Sequence, residues 1–373
     1  MEQIVAHLSN QRKKLKEVEQ LGDPGRISAM IDVAVISLYN RLTNRSDLHS
    51  LEIRRYGAVL AIGEYGRRQL GPFSPITLLF LQASEVPFDE DIWQTGIVQP
   101  LEQAGWDVQS EVVNVDDVVE LCLGNFDWLS SLLDSRFISG SRELVDDLRL
   151  SLMEKIDSER NRQSVRAFLD EWVERKDRQQ DPSFILEPDL EYSSGGLGEL
   201  NRIRWAGYLL DGDERWIETN NLNSDNHAAL RQAEKFLLRV RNHLQLLNRN
   251  QETQLQYEAQ REVAHSLGYE DQGDFLAVEV MMKELEGHFY EIGLIASRFK
   301  KLLRAWIASE VKEEVKPERE EVAPGMWVER GLLMVDIDKL DDEANGLLEL
   351  FKQAVHLDVD LSVESYQWAK SQA

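Results

Sequence analysis

The residues best placed to do chemistry lie in one stretch, Ala58–Gln82, which reads AVLAIGEYGRRQLGPFSPITLLFLQ. Gly63 and Gly66 allow a tight turn after a buried strand. Tyr65, Arg67 and Ser74 follow within a short helical turn and loop, before a second apolar strand. Turns of this kind can hold phosphate through backbone N–H groups, a hydroxyl and a guanidinium. Transfer of a phosphoryl or nucleotidyl group also needs a divalent cation, and hard dications take carboxylate ligands. Here Ser74 is followed by Pro75 and Thr77, and no carboxylate occurs between Glu64 and Glu85. The stretch reads as a phosphate site with nothing beside it to hold the metal.

Other chemistry is thinly represented. The seven His residues are scattered, and none pairs with another His or with Cys at metal-ligand spacing. His243 sits in the helical segment LLRVRNHLQLL, where it is as readily a packed residue as a ligand. No G-x-S-x-G elbow, Walker loop or G-x-G-x-x-G occurs. Asp116 and Asp117 open a helix, where carboxylates suit the dipole. Gly195 and Gly196 precede another helix and offer either backbone N–H groups for an anion or a tight turn, the turn being preferred. Cys122, the single cysteine, excludes an intramolecular disulfide framework and reads as a small buried hydrophobe.

A formal net charge of −25 argues against nucleic acid and against anionic membrane surfaces as partners. Neither a leader-like apolar core nor a run of about 18 apolar residues is present, so the expected compartment is the cytoplasm. With 373 residues and 42% hydrophobic content the chain can build two or three cores.

The pattern around the candidate site is consistent. Two helices fill residues 2–45, the second at about Arg26–Leu42 with a wide apolar stripe. A helix at Asp89–Gln103 carries Ile92, Trp93, Ile97 and Leu101. Trp106–Asn114 alternates as a half-buried strand, which puts Asp107 and Glu111 on one face. Helices at about 115–123 and 126–133 and a strand at Arg136–Ser139 complete a small mixed sheet. Helices then follow around 141–157, 159–178, 199–210, 224–248, 258–267 and 271–307, interrupted by an irregular loop at Gln179–Gly198. A charged linker separates these from a hairpin, Met326–Val328 with Leu332–Val335, and two closing helices at about 338–356 and 361–371.

GEYGRRQLGPFSPITLL, residues 63–79, resembles the signature G-G-Y-G-R-x-E-L-x-P-x-S-D-I-D-L-L of the PII uridylyltransferase/uridylyl-removing enzyme family within the nucleotidyltransferases. The likeness continues through GWDVQSEVVNVDDVVEL, EPDLEYSSGGLGEL, AEKFLLRVRNHLQLL, LQYEAQREVAHSLGY and MWVERGLLMV, and covers most of residues 26–370. It implies a nucleotidyltransferase-like domain at 51–140, preceded by N-terminal helices at 1–50. A helical domain at 141–309, a linker at 310–325 and a small C-terminal α/β piece at 326–373 follow. The fold class is therefore α/β plus all-α. By the same resemblance, the family's HD hydrolase and ACT domains are not expected within these 373 residues.

The departures fall on the catalytic positions. The family's two metal-binding aspartates match Pro75 and Thr77, and its second turn glycine matches Glu64. Neither replacement side chain at 75 and 77 is a carboxylate, and Glu64 brings negative charge to a phosphate site. The family's basic loop residues match Glu191 and Gly198, and its strand arginine matches Val113. The degenerate nucleotide-site positions are thus Gly63, Glu64, Tyr65, Gly66, Arg67, Ser74, Pro75, Thr77, Glu111, Gly195 and Gly196. No catalytic residue, metal, Mg²⁺ or nucleotide is expected. The expected role is regulatory, with a protein partner that family analogy makes PII-like. The alternatives are a nucleotide sensor without turnover and an active transferase with an altered metal site.

Overall fold

The computed structural model describes residues 2–14, 25–44, 48–84, 90–155, 159–178, 186–211, 224–309, 320–329, 332–336, 343–357, 359–361, 365 and 368–369. Its contacts divide the chain into two compact units, Met1–Arg304 and Ala305–Ala373.

The first unit opens with α1 (Glu2–Lys14), α2 (Gly25–Thr43) and α3 (Leu48–Tyr56), the last not foreseen in the sequence. β1 (Gly57–Ala61), the four-residue α4 (Gly63–Gly66) and β2 (Ile76–Gln82) form the strand–turn–strand element. A helix follows in three pieces, α5 (Glu90–Trp93), a π-helical turn (Gln94–Val98) and α6 (Gln99–Gln103). β3 (Val108–Asn114), α7 (Val115–Gly124), α8 (Phe126–Leu133) and β4 (Arg136–Gly140) complete the sheet region.

The strand order is β3-β2-β1-β4. β1 is antiparallel to β2 and β4, whereas β2 runs parallel to β3. Every residue of β1 is buried, as its continuous apolar run GAVLA requires of a strand covered on both faces. One face, with Val59, Ala61, Leu78 and Phe80, packs on Ile31, Val35 and Leu38 of α2 and on Trp93, Ile97 and Leu101. Trp93 stacks on Phe80 at 4.7 Å between ring centroids. α9 (Arg142–Lys155), beyond the boundary expected at 140, also packs on this sheet.

α10 (Glu159–Arg178), α11 (Leu197–Asp211), α12 (Ser224–Asn248), α13 (Tyr257–Ser266) and α14 (Ala277–Ser309) follow. They match the helical spans read from the sequence to within a few residues, except that α14 begins at Ala277 rather than near 271. Helices α10 and α11 join the sheet region through Phe126, which stacks on Phe168 and meets Trp205 edge-on. Cys122 is buried, and burial pushes its thiol up to about 12. No helix among the described residues is long and apolar enough to cross a membrane.

The second unit holds β5 (Glu320–Ala323), β6 (Met326–Glu329), β7 (Leu332–Val335), α15 (Glu343–Leu357) and β8 (Asp360–Leu361). The hairpin is as expected, with Glu329 opposite Leu332. Two corrections apply. The expected linker at 310–325 falls outside the described residues as far as 319, and its end is strand β5, paired with β6. The helix expected at 361–371 gives up Leu361 to β8, which lies parallel to β7 and leaves described helical residues only at 365 and 368–369. Met326, Leu333, Leu350 and Trp368 form the core of this unit.

A buried ion pair ties the helices of the first unit to the loop before α11. Lys300 Nζ lies 2.9 Å from Glu199 Oε1, and both side chains are 8% exposed. Trp172 Nε1 donates to the same oxygen, and the Gly195 N–H donates to Glu199 Oε2 at 2.6 Å. Removing one partner of such a pair leaves a desolvated charge. Lys300→Met is expected to lower unfolding stability by about 3 kcal/mol, measured by urea denaturation. A loss within about 0.5 kcal/mol would mean that Glu199 is satisfied without the lysine.

Candidate functional site

The strand–turn–strand element carries the site because its backbone has little freedom there. Gly63 adopts φ +58° and opens α4. A Cβ on Gly66 would meet the Asp134 carbonyl oxygen at 2.1 Å, so only glycine lets the turn lie against the end of α8. Tyr65 is fully buried beneath the turn. The Arg136 guanidinium lies 5.4 Å from its ring centre and makes a two-pronged pair with Asp32 at 2.8 and 2.9 Å. Burial, with the Asp32 charge, pushes the Tyr65 hydroxyl well above its ordinary range.

Arg67 is held internally. It pairs with buried Asp134, and its Nε donates to Gln69 Oε1 at 2.9 Å. Gln69 then donates to Glu234 Oε1, which also pairs with Arg204 at 2.6 Å. Burial disfavours the Arg67 charge, but Asp134, Glu64 and Glu191 outweigh it and raise the pKa. The chain of contacts crosses from the turn to α8, α11 and α12.

Ser74 is buried, and both hydrogen-bonding capacities of its hydroxyl are used. Oγ accepts from the Gly71 N–H at 2.9 Å and donates to Glu64 Oε2 at 2.6 Å. That Glu64 oxygen also lies 3.3 Å from Arg241 Nη1, from a side chain only 1% exposed. Arg241 donates in addition to the Gln69 carbonyl and to Asn242 Oδ1. The oxygens of Gln245 and Asn242 stand close enough to Gly71 that a Cβ there would meet them at 2.5 and 3.1 Å. The Glu64 carboxylate therefore sits between a serine hydroxyl and a buried guanidinium, where an anionic ligand would find its partners.

The loop before α11 reaches the same place. Burial pushes the Glu191 carboxyl above its ordinary range, Glu64 adds to the rise, and Arg67 and Arg241 oppose it. The carboxyl groups of Glu64 and Glu191 thus lie in the field of the same two guanidiniums, Arg67 and Arg241.

Gly195 and Gly196 contribute nothing to an anion site. The Gly195 N–H is taken by Glu199 and the Gly196 N–H by the Ser193 carbonyl. Gly195, at φ +83°, lies so close to α14 that a Cβ would meet the Phe289 carbonyl at 2.0 Å. These glycines serve a tight turn and a close packing contact.

Pro75 precedes β2, and Thr77 lies on it, half-buried and opposite Gln109 of β3. Glu111 is exposed and stands opposite Leu79, one step further along the same sheet face. Asp107 lies before β3, where its carboxylate accepts from Gln251 at 3.4 Å. Among the described residues no group of three or more His, Cys, Asp or Glu is arranged to hold a metal ion. The donors at positions 75 and 77 do not fit the divalent cation that nucleotidyl transfer requires. Arg241 was not picked out as a site residue from the sequence. Its signal is a charged residue inside the apolar pattern of α12, between Val240 and Leu244, both fully buried.

Comparison with known proteins finds similar sequences. Residues 163–299 match the family model described as GlnD PII-uridylyltransferase. A bifunctional uridylyltransferase/uridylyl-removing enzyme of Ruegeria pomeroyi is 28% identical over 83% of this chain and 35% of its own length. Its counterparts in Novosphingobium aromaticivorans and Caulobacter vibrioides are 26% and 27% identical, each over 91% of this chain and 37% of the relative. The chain is similar to the GlnD PII-uridylyltransferase family and spans little more than a third of the length of these relatives.

The Glu191 environment has a pH signature. Its folded pKa is raised, so the native state holds a proton that the unfolded state has released. The stabilisation is full at low pH and is lost as pH climbs from about 4.5 through the raised value. Glu191→Gln cannot ionise and escapes this loss. The stability of the variant relative to the parent is expected to rise across that window and then level off, measured by urea denaturation between pH 4 and 8. A constant difference across the range would place Glu191 in water.

Proposed function

We propose that this chain is a member of the GlnD PII-uridylyltransferase family in which nucleotidyl transfer has lapsed, and that its fold serves as a regulatory, protein-binding module. The observation that carries this reading is the contact of Glu64 with Ser74 and Arg241. A carboxylate supplied by the chain occupies the partners that a phosphate would use. Triphosphate would have to displace it and would meet the Glu64 charge. The absence of carboxylates at Pro75 and Thr77 points the same way, because two-metal transfer needs ligands on both ions. A PII-like protein is the partner class proposed, by analogy with the substrate in the family's name.

The test has two arms. In the first, the protein is incubated with a PII protein, labelled nucleoside triphosphates and Mg²⁺ or Mn²⁺. No transfer is expected, while the PII protein still binds in calorimetry. Metal-dependent labelling that Glu111→Ala abolishes would sink the proposal in favour of an altered active site.

In the second arm, Glu64→Gly is compared with the parent. The variant leaves Arg241 without its carboxylate and is expected to be less stable. Inorganic triphosphate should bind the variant at least about tenfold more tightly than the parent and raise its Tm alone. Micromolar nucleotide binding by the parent without metal would favour a sensor, a reading that the Ser74 hydroxyl and the Arg241 guanidinium support. Pro75→Asp combined with Thr77→Asp asks whether Mg²⁺ binding returns once carboxylates stand at both positions.

A further inference from the structure

A cavity is lined in part by Phe73, the chain neighbour of Ser74. Its volume is about 330 Å³, within the range of small-molecule sites. Phe73, Leu246, Leu247 and Val263 give it an apolar wall. His243, Arg249, Glu262 and Ser266 bring polar groups to the same space. The mixture is that of a ligand site, where apolar area supplies affinity and a few polar groups fix orientation.

The charges are the informative part. Arg249 and Glu262, one of each sign, line one cavity. Neither makes an ion pair or a side-chain hydrogen bond with any other described residue. Opposite charges that share a cleft would ordinarily pair across it if they met. Arg249 follows the last residue of α12 in the left-handed region, at φ 57°, where glycine or asparagine is usual. His243 is buried and has no hydrogen-bond partner among the described residues. Burial and the nearby Arg239 hold its pKa down, so at neutral pH the ring keeps one nitrogen free to accept.

We propose that this cleft, between the end of α12, α13 and Phe73, binds a small zwitterion with an apolar side chain, of the class of the free apolar α-amino acids. The carboxylate goes to Arg249, the ammonium to Glu262 and the side chain to the wall of Phe73, Leu246, Leu247 and Val263. Ser266 and His243 are the remaining polar groups within the cleft. The site connects to the turn as well. The Phe73 N–H donates to Gln245 Oε1 at 3.4 Å, and Phe73 adjoins Ser74 in the chain. The proposal does not depend on whether the Glu64 pocket is active.

Isothermal calorimetry on the whole chain tests it with leucine and phenylalanine, set against 4-methylpentanoate and isoamylamine, which each keep one of leucine's charges. Leucine or phenylalanine is expected to bind with Kd below about 1 mM, and each single-charge analogue at least about tenfold more weakly. Arg249→Gly, which suits the left-handed backbone, and Glu262→Gln should each weaken binding at least about tenfold. Both positions are exposed, so folding is expected to survive, and circular dichroism checks it. Three results would overturn the assignment: no zwitterion bound at about 10 mM, single-charge analogues bound as well as leucine, or both folded variants binding as the parent does.

Discussion

The structure of the site depends on one requirement, that a guanidinium buried in the middle of α12 must meet an anion. Arg241 is 1% exposed, and a cation so far from water is tolerated only when paired and hydrogen-bonded. Glu64 Oε2 meets it at 3.3 Å, while the Gln69 carbonyl and Asn242 accept its remaining donors. The Glu64 carboxylate is itself about a third exposed, so the attraction is partly screened, and its bond to the Ser74 hydroxyl matters for holding it in place. From this pair the turn acquires its attachment to the helices. The Arg67–Asp134 pair and the path through Gln69 to Glu234 and Arg204 extend that attachment to α8, α11 and α12.

Much of this fold was legible in the sequence because its signals are local. The continuous apolar run of β1, the period of α12 and the Gly-Pro punctuation around residues 63–72 each specify one element. Apart from α3, the elements that escaped are those fixed by partners distant in the chain. β8 has only two residues and exists because β7 offers it an edge. β5 lies in a segment of high charge, which reads as linker until β6 pairs with it. The π-turn at Gln94–Val98 interrupts a helix whose apolar spacing reads as continuous, and there Gly96 approaches Leu42 of α2 closely.

The candidate site was legible in its residues and not in its electrostatics. Glu64, Ser74, Pro75 and Thr77 stand out by type and spacing. That Glu64 would find a buried arginine more than 170 positions later has no local sign, since charge pairing is a property of the assembled helices. The same holds for Glu191, which reads as a lost basic residue. In the fold it becomes a second acid facing Arg67 and Arg241. The glycines at 195 and 196 looked ready for an anion because a sequence shows donors but not the acceptors already assigned to them.

This distribution of partners bears on how the family signature should be weighed. Most of the signature residues that this chain keeps have a packing reason for being there. Gly66 must be small against the Asp134 backbone, Arg67 neutralises Asp134, Ser74 closes the turn onto Gly71, and Tyr65 fills the space beneath. A fold that needed only its stability would keep all of them. They are therefore neutral between an active and an inactive protein. Positions 75 and 77 are different, because a carboxylate there would have its use in holding a cation. Position 64 is different as well. Glycine would suffice for the turn, and the glutamate adds a charge that Arg241 and the Ser74 hydroxyl meet. The weight of the signature on chemistry thus rests on three positions, and the fold accounts for the rest.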